Sequence, residues 1–173
     1  MKPDLTTLIV TWFGAGLSKV APGTVGSLAT IPFACVLHFY GGFFSVFVFS
    51  VAMLLVGTYA THLYLTQHPE KSDPKEVVID EVAGQSFVLC LLAPTIQAYI
   101  VGFILFRLFD VWKPWPISLA DKKIKGATGV MIDDMIAAVF AVGVIFLGLI
   151  ATQHIDALQP YSKNIFGLFG NVS

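Results

Sequence analysis

Apolar residues in this chain fall in long unbroken blocks, not in the alternation of a strand or the one-sided stripe of a water-soluble helix. No Asp, Glu, Lys or Arg occurs from Val20 through Pro69, from Val82 through Phe106, or from Met135 through Ile155. A helix needs about 20 residues to cross the hydrocarbon layer, so the first block is too long for one crossing. Gly41-Gly42 divides it into "GSLATIPFACVLHFY" and "FFSVFVFSVAMLLVGTYATHLYL", which predicts two helices. Pro94 divides the second block into "VAGQSFVLCLLA" and "TIQAYIVGFILF". Each piece is shorter than the roughly 17 residues of a minimal span, which predicts a re-entrant or tilted pair. The third block, "MIAAVFAVGVIFLGLIATQHI", is long enough to cross once, and the tail "YSKNIFGLFGNVS" follows it. The expectation is an all-α, polytopic helical membrane protein, one domain over residues 1–173, with about three full spans plus a short broken helical pair.

Composition agrees with the pattern. Hydrophobic residues make up 56% of the chain and charged residues only 12%, against about 25% charged in soluble domains. A net charge of −1 leaves no electrostatic footprint for nucleic acid. Cys35 and Cys90 stand alone in apolar runs, so neither a disulfide nor a zinc set is expected, and both are expected to be buried. His38 and His62 are expected to face helix neighbours or an interface. The N-terminus, with a single early Lys2 and no small-residue cleavage pattern, does not read as a cleavable signal.

Three polar islands separate the blocks: residues 11–27, 66–81 and 107–134. If the first block crosses twice and the second enters and returns, all three islands share one face of the membrane. Lys2, Lys19, Lys71, Lys75, Arg107, Lys113, Lys122, Lys123 and Lys125 then lie on that face and Lys163 opposite. Short cytoplasmic loops collect Lys and Arg, so the shared face is expected to be cytoplasmic and the tail external.

The glycines of the first island, "TWFGAGLSKVAPGTVGS", fit neither the dinucleotide fingerprint nor a Walker A loop. What remains is a turn-rich loop before an apolar helix, with Ser27 expected as its N-cap and backbone donors near Gly23, Thr24 and Gly26 suited to a phosphate. In "DPKEVVIDEVAGQ", Asp73-Pro74 is expected to open a helix with Glu76 and Asp80 on one side and Glu81 turned by about 100 degrees. Adjacent carboxylates at a lipid boundary repel and lose hydration, and Mg²⁺, which takes oxygen ligands, is the fitting compensation. The third island opens with "FRLFDVWKPWPI", in which Arg107 and Asp110 share a helix face, and closes with "GVMIDDMIAA", where Asp133 and Asp134 again precede a span. Asp110 lacks the DxDx[TV] arrangement of haloacid-dehalogenase-type phosphatases. Acids at two span boundaries, with Asp110, Arg107 and Lys113 nearby, point to a metal and phosphate site. A transporter or divalent-cation permease would use such acids as an ion route and is the alternative. The spaced pattern of the CDP-alcohol phosphatidyltransferases is not found.

Together "GAGLSKVAPGTVGSLATIP", "VVIDEVAGQ", "FRLFDVWKPWPI" and "GVMIDDMIAA", in this order and at these separations, resemble the phosphatidylglycerophosphatase A family from about Phe13 to about Ala138, with a matching final span. The resemblance implies a Mg²⁺-dependent phosphatase of the bacterial inner membrane that converts phosphatidylglycerophosphate to phosphatidylglycerol and inorganic phosphate at the cytoplasmic face. It implies Asp80, Glu81, Asp110, Asp133 and Asp134 as the catalytic acids, with Asp80, Glu81, Asp133 and Asp134 holding the metal. Lys19, Gly23, Thr24, Gly26, Ser27, Arg107 and Lys113 are the expected phosphate-binding residues. Which carboxylate acts as base or nucleophile is left open. Lys19 stands where proline is expected after "GLS", and Ala127 replaces a second glycine in "KGATGVM".

Overall fold

The computed structural model describes residues 4–71 and 74–154, and among them there is no strand. Helix α1 (Leu5–Val10) is capped by Asp4, whose carboxylate accepts from the Thr7 N–H at 2.8 Å. A 3-10 turn at Ala15–Leu17 leads to α2 (Pro22–Gln67), followed by α3 (Ile79–Cys90), α4 (Ile96–Trp112), α5 (Ile117–Lys123) and α6 (Ala127–His154).

Helix α2 folds back on itself. Gly42 has φ 62 and ψ −159, a region essentially closed to residues with a Cβ. The Ser45 hydroxyl donates to the Leu37 carbonyl, eight residues back, whereas a straight helix would separate them by about 12 Å. Phe33 and Phe49, on either side of the break, both pack on the Trp12 ring, at 5.0 and 5.9 Å between centroids. Gly26 on the first leg packs on Val78 and Gly57 on the second packs on Ile79, so both legs clasp the start of α3.

Two helices, α2 and residues 127–151 of α6, are long and apolar enough to cross a membrane, rather than the expected three. The difference comes from the hairpin, whose two legs form one helical element interrupted at a single residue. Only 11% of the most apolar stretch of α2 and 28% of that in α6 is covered by protein. Tyr40, Leu55, Tyr59 and Leu147 stand more than 60% exposed, a surface that suits hydrocarbon better than water. The expected broken pair is present as α3 and α4, which reverse around Pro94. Cys35 is exposed, contrary to expectation, because it faces outward from α2, while Cys90 is buried; both are free. His38 shares a 3.0 Å hydrogen bond with the Tyr99 hydroxyl. Lys163 and the tail lie outside the described residues.

Small side chains set the spacing of the core. Every fourth residue of α4 from Ala98 through Gly102 and Phe106 to Asp110 is buried. A Cβ on Gly84 of α3 would stand 2.7 Å from the Phe106 ring and 3.1 Å from the Asp134 carbonyl. The glycine lets α3 sit close to α4 and α6, and this contact brings the acids of α3 beside those of α6.

Candidate active site

The first turns of α2, α3 and α6 and the last turn of α4 meet around a cavity of about 620 Å³. All five expected catalytic acids line it, together with Gly23, Thr24, Arg107 and Lys113. The three polar islands, far apart in sequence, therefore form one site, as the even-crossing argument requires.

Asp80, Glu81 and Asp134 each offer an oxygen within 4.8 Å of the others. Asp80 Oδ1, Glu81 Oε2 and Asp134 Oδ2 are buried with no hydrogen-bond partner. Carboxylate oxygens left without donors are costly, and three such carboxylates gathered together suit a hard divalent cation such as Mg²⁺. The wider charge balance agrees. Asp80, Glu81, Asp110, Asp121, Asp133 and Asp134 face Lys75, Arg107, Lys113 and Lys125 across the cavity, an excess of negative charge equal to one divalent cation.

Asp133, expected among the metal ligands, stands beside the three-carboxylate group and not within it. Its Oδ2 pairs with the Lys113 ammonium, which also donates to Asp121 Oδ1 at 2.8 Å. Asp133 lines the cavity outside the three-carboxylate group, with Oδ1 buried and unpartnered. Arg107 Nη1 lies 2.5 Å from Asp110 Oδ2 and 3.5 Å from Glu81 Oε1, so the expected shared face of Arg107 and Asp110 is present. Burial works against the Lys113 ammonium, but its bonds to Asp121 and Asp133 outweigh this and raise its pKa. The hydrogen bond from Lys113 holds the Asp121 carboxyl below its ordinary range.

The expected phosphate loop divides. Helix α2 begins at Pro22, after Ala21 in the left-handed region (φ 46), six positions earlier than a Ser27 cap requires. Ser27 is fully buried inside the helix, and its hydroxyl donates to the Gly23 carbonyl at 3.0 Å. Gly26 is occupied by packing on Val78 and Lys19 is exposed, and none of Lys19, Gly26 and Ser27 lines the cavity. Gly23 and Thr24 do line it, on the first turn of α2, where backbone N–H groups lack carbonyls one turn back in the helix. A Cβ on Gly23 would stand 1.9 Å from Glu81 Oε1 and 3.1 Å from Arg107 Nη2, so only glycine permits this approach.

Helix α3 opens at Ile79, not near Asp73, which lies outside the described residues. Glu76 precedes the helix and turns from the cavity to accept from the Tyr64 hydroxyl at 2.8 Å and from Lys71. Lys75, Asp121 and Lys125 are cavity residues that the sequence reading did not single out. Asp121 and Lys125 lie in "LADKKIKG", where the available signal is an acid among lysines close to Lys113, and Lys75 lies in "DPKEVVIDEV", five residues before Asp80.

Comparison with known proteins bears on the same residues. Phosphatidylglycerophosphatase A of Escherichia coli K12 is 35% identical over 143 residues, covering 80% of each chain. That of Haemophilus influenzae Rd is 37% identical over 141 residues, covering 80% of this chain and 85% of its own. A Bacteroides thetaiotaomicron protein named "Putative phosphatidylinositol-3-phosphatase" is 34% identical over 143 residues, 79% of this chain and 89% of its own. No solved structure matches. These relatives lend no support to the permease alternative. The family model of phosphatidylglycerophosphatase A matches residues 8–149, which contain every acid of the cavity, and the chain belongs to that family.

Proposed function

We propose that this protein hydrolyses phosphatidylglycerophosphate to phosphatidylglycerol and inorganic phosphate, the last step of phosphatidylglycerol synthesis, at the cytoplasmic face of a bacterial inner membrane. The observation that carries the reading is the convergence of Asp80, Glu81 and Asp134 oxygens, buried and without donors, beside Arg107 and Lys113 in one cavity. Asp80, Glu81 and Asp134 would hold Mg²⁺. When bound, the ion supplies charge neutralisation and polarisation of the P–O bond.

The remaining roles belong to the chain. The monoester lies against the first turn of α2, where the Gly23 and Thr24 N–H groups and the helix dipole favour an anion. Arg107, whose Nε is buried and unpartnered, and Lys113 donate to its equatorial oxygens. Asp133 stands outside the metal group with one oxygen held by Lys113, which leaves Oδ1 to orient water and take its proton. The bond from water oxygen to phosphorus forms as the bond to the glycerol oxygen breaks. The proton passes to the leaving oxygen, and the products are the neutral glycerol hydroxyl and phosphate. Asp110 keeps Arg107 in place.

A phosphomonoester on a lipid headgroup is the chemistry common to the names of the relatives. The test is phosphate release by the purified protein in mixed micelles, with and without Mg²⁺, from phosphatidylglycerophosphate and from phosphatidylinositol 3-phosphate. Mg²⁺-dependent release favouring the first substrate is expected. Release from neither lipid, or equal release after chelation, would sink the proposal.

A further inference from the structure

Beside the polar cavity lies a shallow apolar groove of about 680 Å³, lined by Thr24, Phe103, Ile104, Arg107, Leu108, Val111 and Trp112. Thr24, Arg107 and Val111 line both spaces, so the groove continues the cavity. It runs along the outer face of α4, opposite the buried stripe of Ala98, Gly102, Phe106 and Asp110. Ile104 and Leu108 are each about half exposed, at 56% and 49%, and Trp112 is 70% exposed, so the described residues leave the outer side of this groove open. Between Phe103 and Trp112 the helix rises about 13 Å, close to the roughly 15 Å depth of one leaflet's hydrocarbon. Trp112 stands at the cavity end, where an amphipathic aromatic ring suits the headgroup boundary.

We infer that this groove seats one acyl chain of the lipid whose phosphomonoester enters the polar cavity, so that substrate arrives sideways from the bilayer between α2 and α4. The inference rests on the reading of the cavity as a lipid phosphatase site. Two features commit the groove to the substrate's chain and not to bulk lipid: it opens into the charged cavity, and the guanidinium-bearing Arg107 lies at the junction. A lipid lying there places its hydrocarbon on Ile104 and Leu108 and its phosphate beside Gly23 and Arg107 without bending across the protein.

The test compares kcat/KM for a dipalmitoyl and a dihexanoyl form of phosphatidylglycerophosphate at equal mole fraction in mixed micelles. Filling the groove with Ile104→Trp is expected to lower the long-to-short ratio about tenfold, the equivalent of about 1.4 kcal/mol of lost chain binding. Ile104→Ala removes wall contacts instead and is expected to lower the ratio about threefold, which keeps the test informative if tryptophan disturbs packing. Leu147→Trp, on the exposed face of α6 away from the groove, is the control and should keep the parental ratio. Groove variants that match the control overturn the acyl-chain site. A parent that hydrolyses neither lipid overturns the reading of the polar cavity instead.

Discussion

Asp133 and Asp134 are neighbours in sequence with different surroundings: one is held by the Lys113 ammonium, and the other joins Asp80 and Glu81 with an oxygen that no donor reaches. Substituting each separates the two roles. A ligand that binds only the folded state adds about 2.7 kcal/mol at a hundredfold excess over its dissociation constant, so Mg²⁺ should raise the melting temperature of the parent. Asp134→Asn should lose both that shift and turnover, with a metal-free protein no less stable than the parent because like-charge repulsion is relieved. Asp133→Asn should lose turnover and keep the shift; thermal melts across a Mg²⁺ titration decide, and loss of the shift in both would return Asp133 to the metal group. The Lys113 backbone lies in the left-handed region (φ 46), a costly conformation for a non-glycine residue, and it keeps the ammonium over Asp121 and Asp133. The hydrogen bond from Lys113 depresses the Asp121 pKa below its ordinary 3.8, so the pair's stabilisation is complete above that value and is lost as pH falls through the lower, folded one. The melting difference between the parent and Asp121→Asn should therefore hold constant from about pH 8 to about pH 5 and shrink only below about pH 4. The acids were legible in the sequence because charge at the edge of an apolar block is conspicuous. Of their partners only Arg107, three residues before Asp110, was legible, since the Lys113–Asp133 pair spans twenty residues and no local pattern encodes it.

Helix breaks were legible wherever backbone chemistry alone makes them. Gly41-Gly42 and Pro94 mark the two reversals, at Gly42 and in the turn between α3 and α4. Helix starts were read less well. Pro22 is the first residue of α2, a position its fixed φ favours, but a hydroxyl at Ser27 was the more familiar cap signal. Asp73-Pro74 suggested an early start to α3, whereas Glu76 is drawn to Tyr64 and Lys71, a tertiary contact that composition does not reveal. The break at Gly42 yields a contrast between two glycines. Gly42→Ala should destabilise by about 1–3 kcal/mol, because φ 62 with ψ −159 is open in practice only to glycine. Gly143→Ala, in α6 with nothing within 4 Å of the added methyl, should instead stabilise by about 0.5–1 kcal/mol through helix propensity. Urea titrations in detergent read both, and equal effects would mean that the hairpin does not depend on its glycine.

For the whole molecule, one arrangement has to satisfy both helix lengths and the shared cavity. The leg from Pro22 to Gly41 rises about 30 Å, the thickness of the hydrocarbon layer, and the return leg is at least as long. Helix α3, with 12 residues, rises only about 18 Å before the chain reverses at Pro94, too short to cross the hydrocarbon layer on its own. Two crossings by the legs of α2 and an entry and return by α3 and α4 would put the starts of α2, α3 and α6, whose residues line one cavity, at one level of the membrane. The described basic residues, Lys19, Lys71, Lys75, Arg107, Lys113, Lys122, Lys123 and Lys125, all belong to the segments at that end, and because short cytoplasmic loops collect Lys and Arg, the expected outcome of a topology test is that this end faces the cytoplasm. Tyr40, 82% exposed near the hairpin tip, must then lie on the far side. With Cys35 and Cys90 changed to serine, single cysteines at Lys19, Lys122 and Tyr40 can be probed with a membrane-impermeant thiol reagent. Ser27 is too deeply buried to serve as a reporter. Positions 19 and 122 should react only in inside-out vesicles and position 40 only in right-side-out ones. If 19 and 122 react from opposite faces, the first turn of α2 and the acids of α6 cannot share a cavity within the bilayer, and the lipid phosphatase site built from them fails with it.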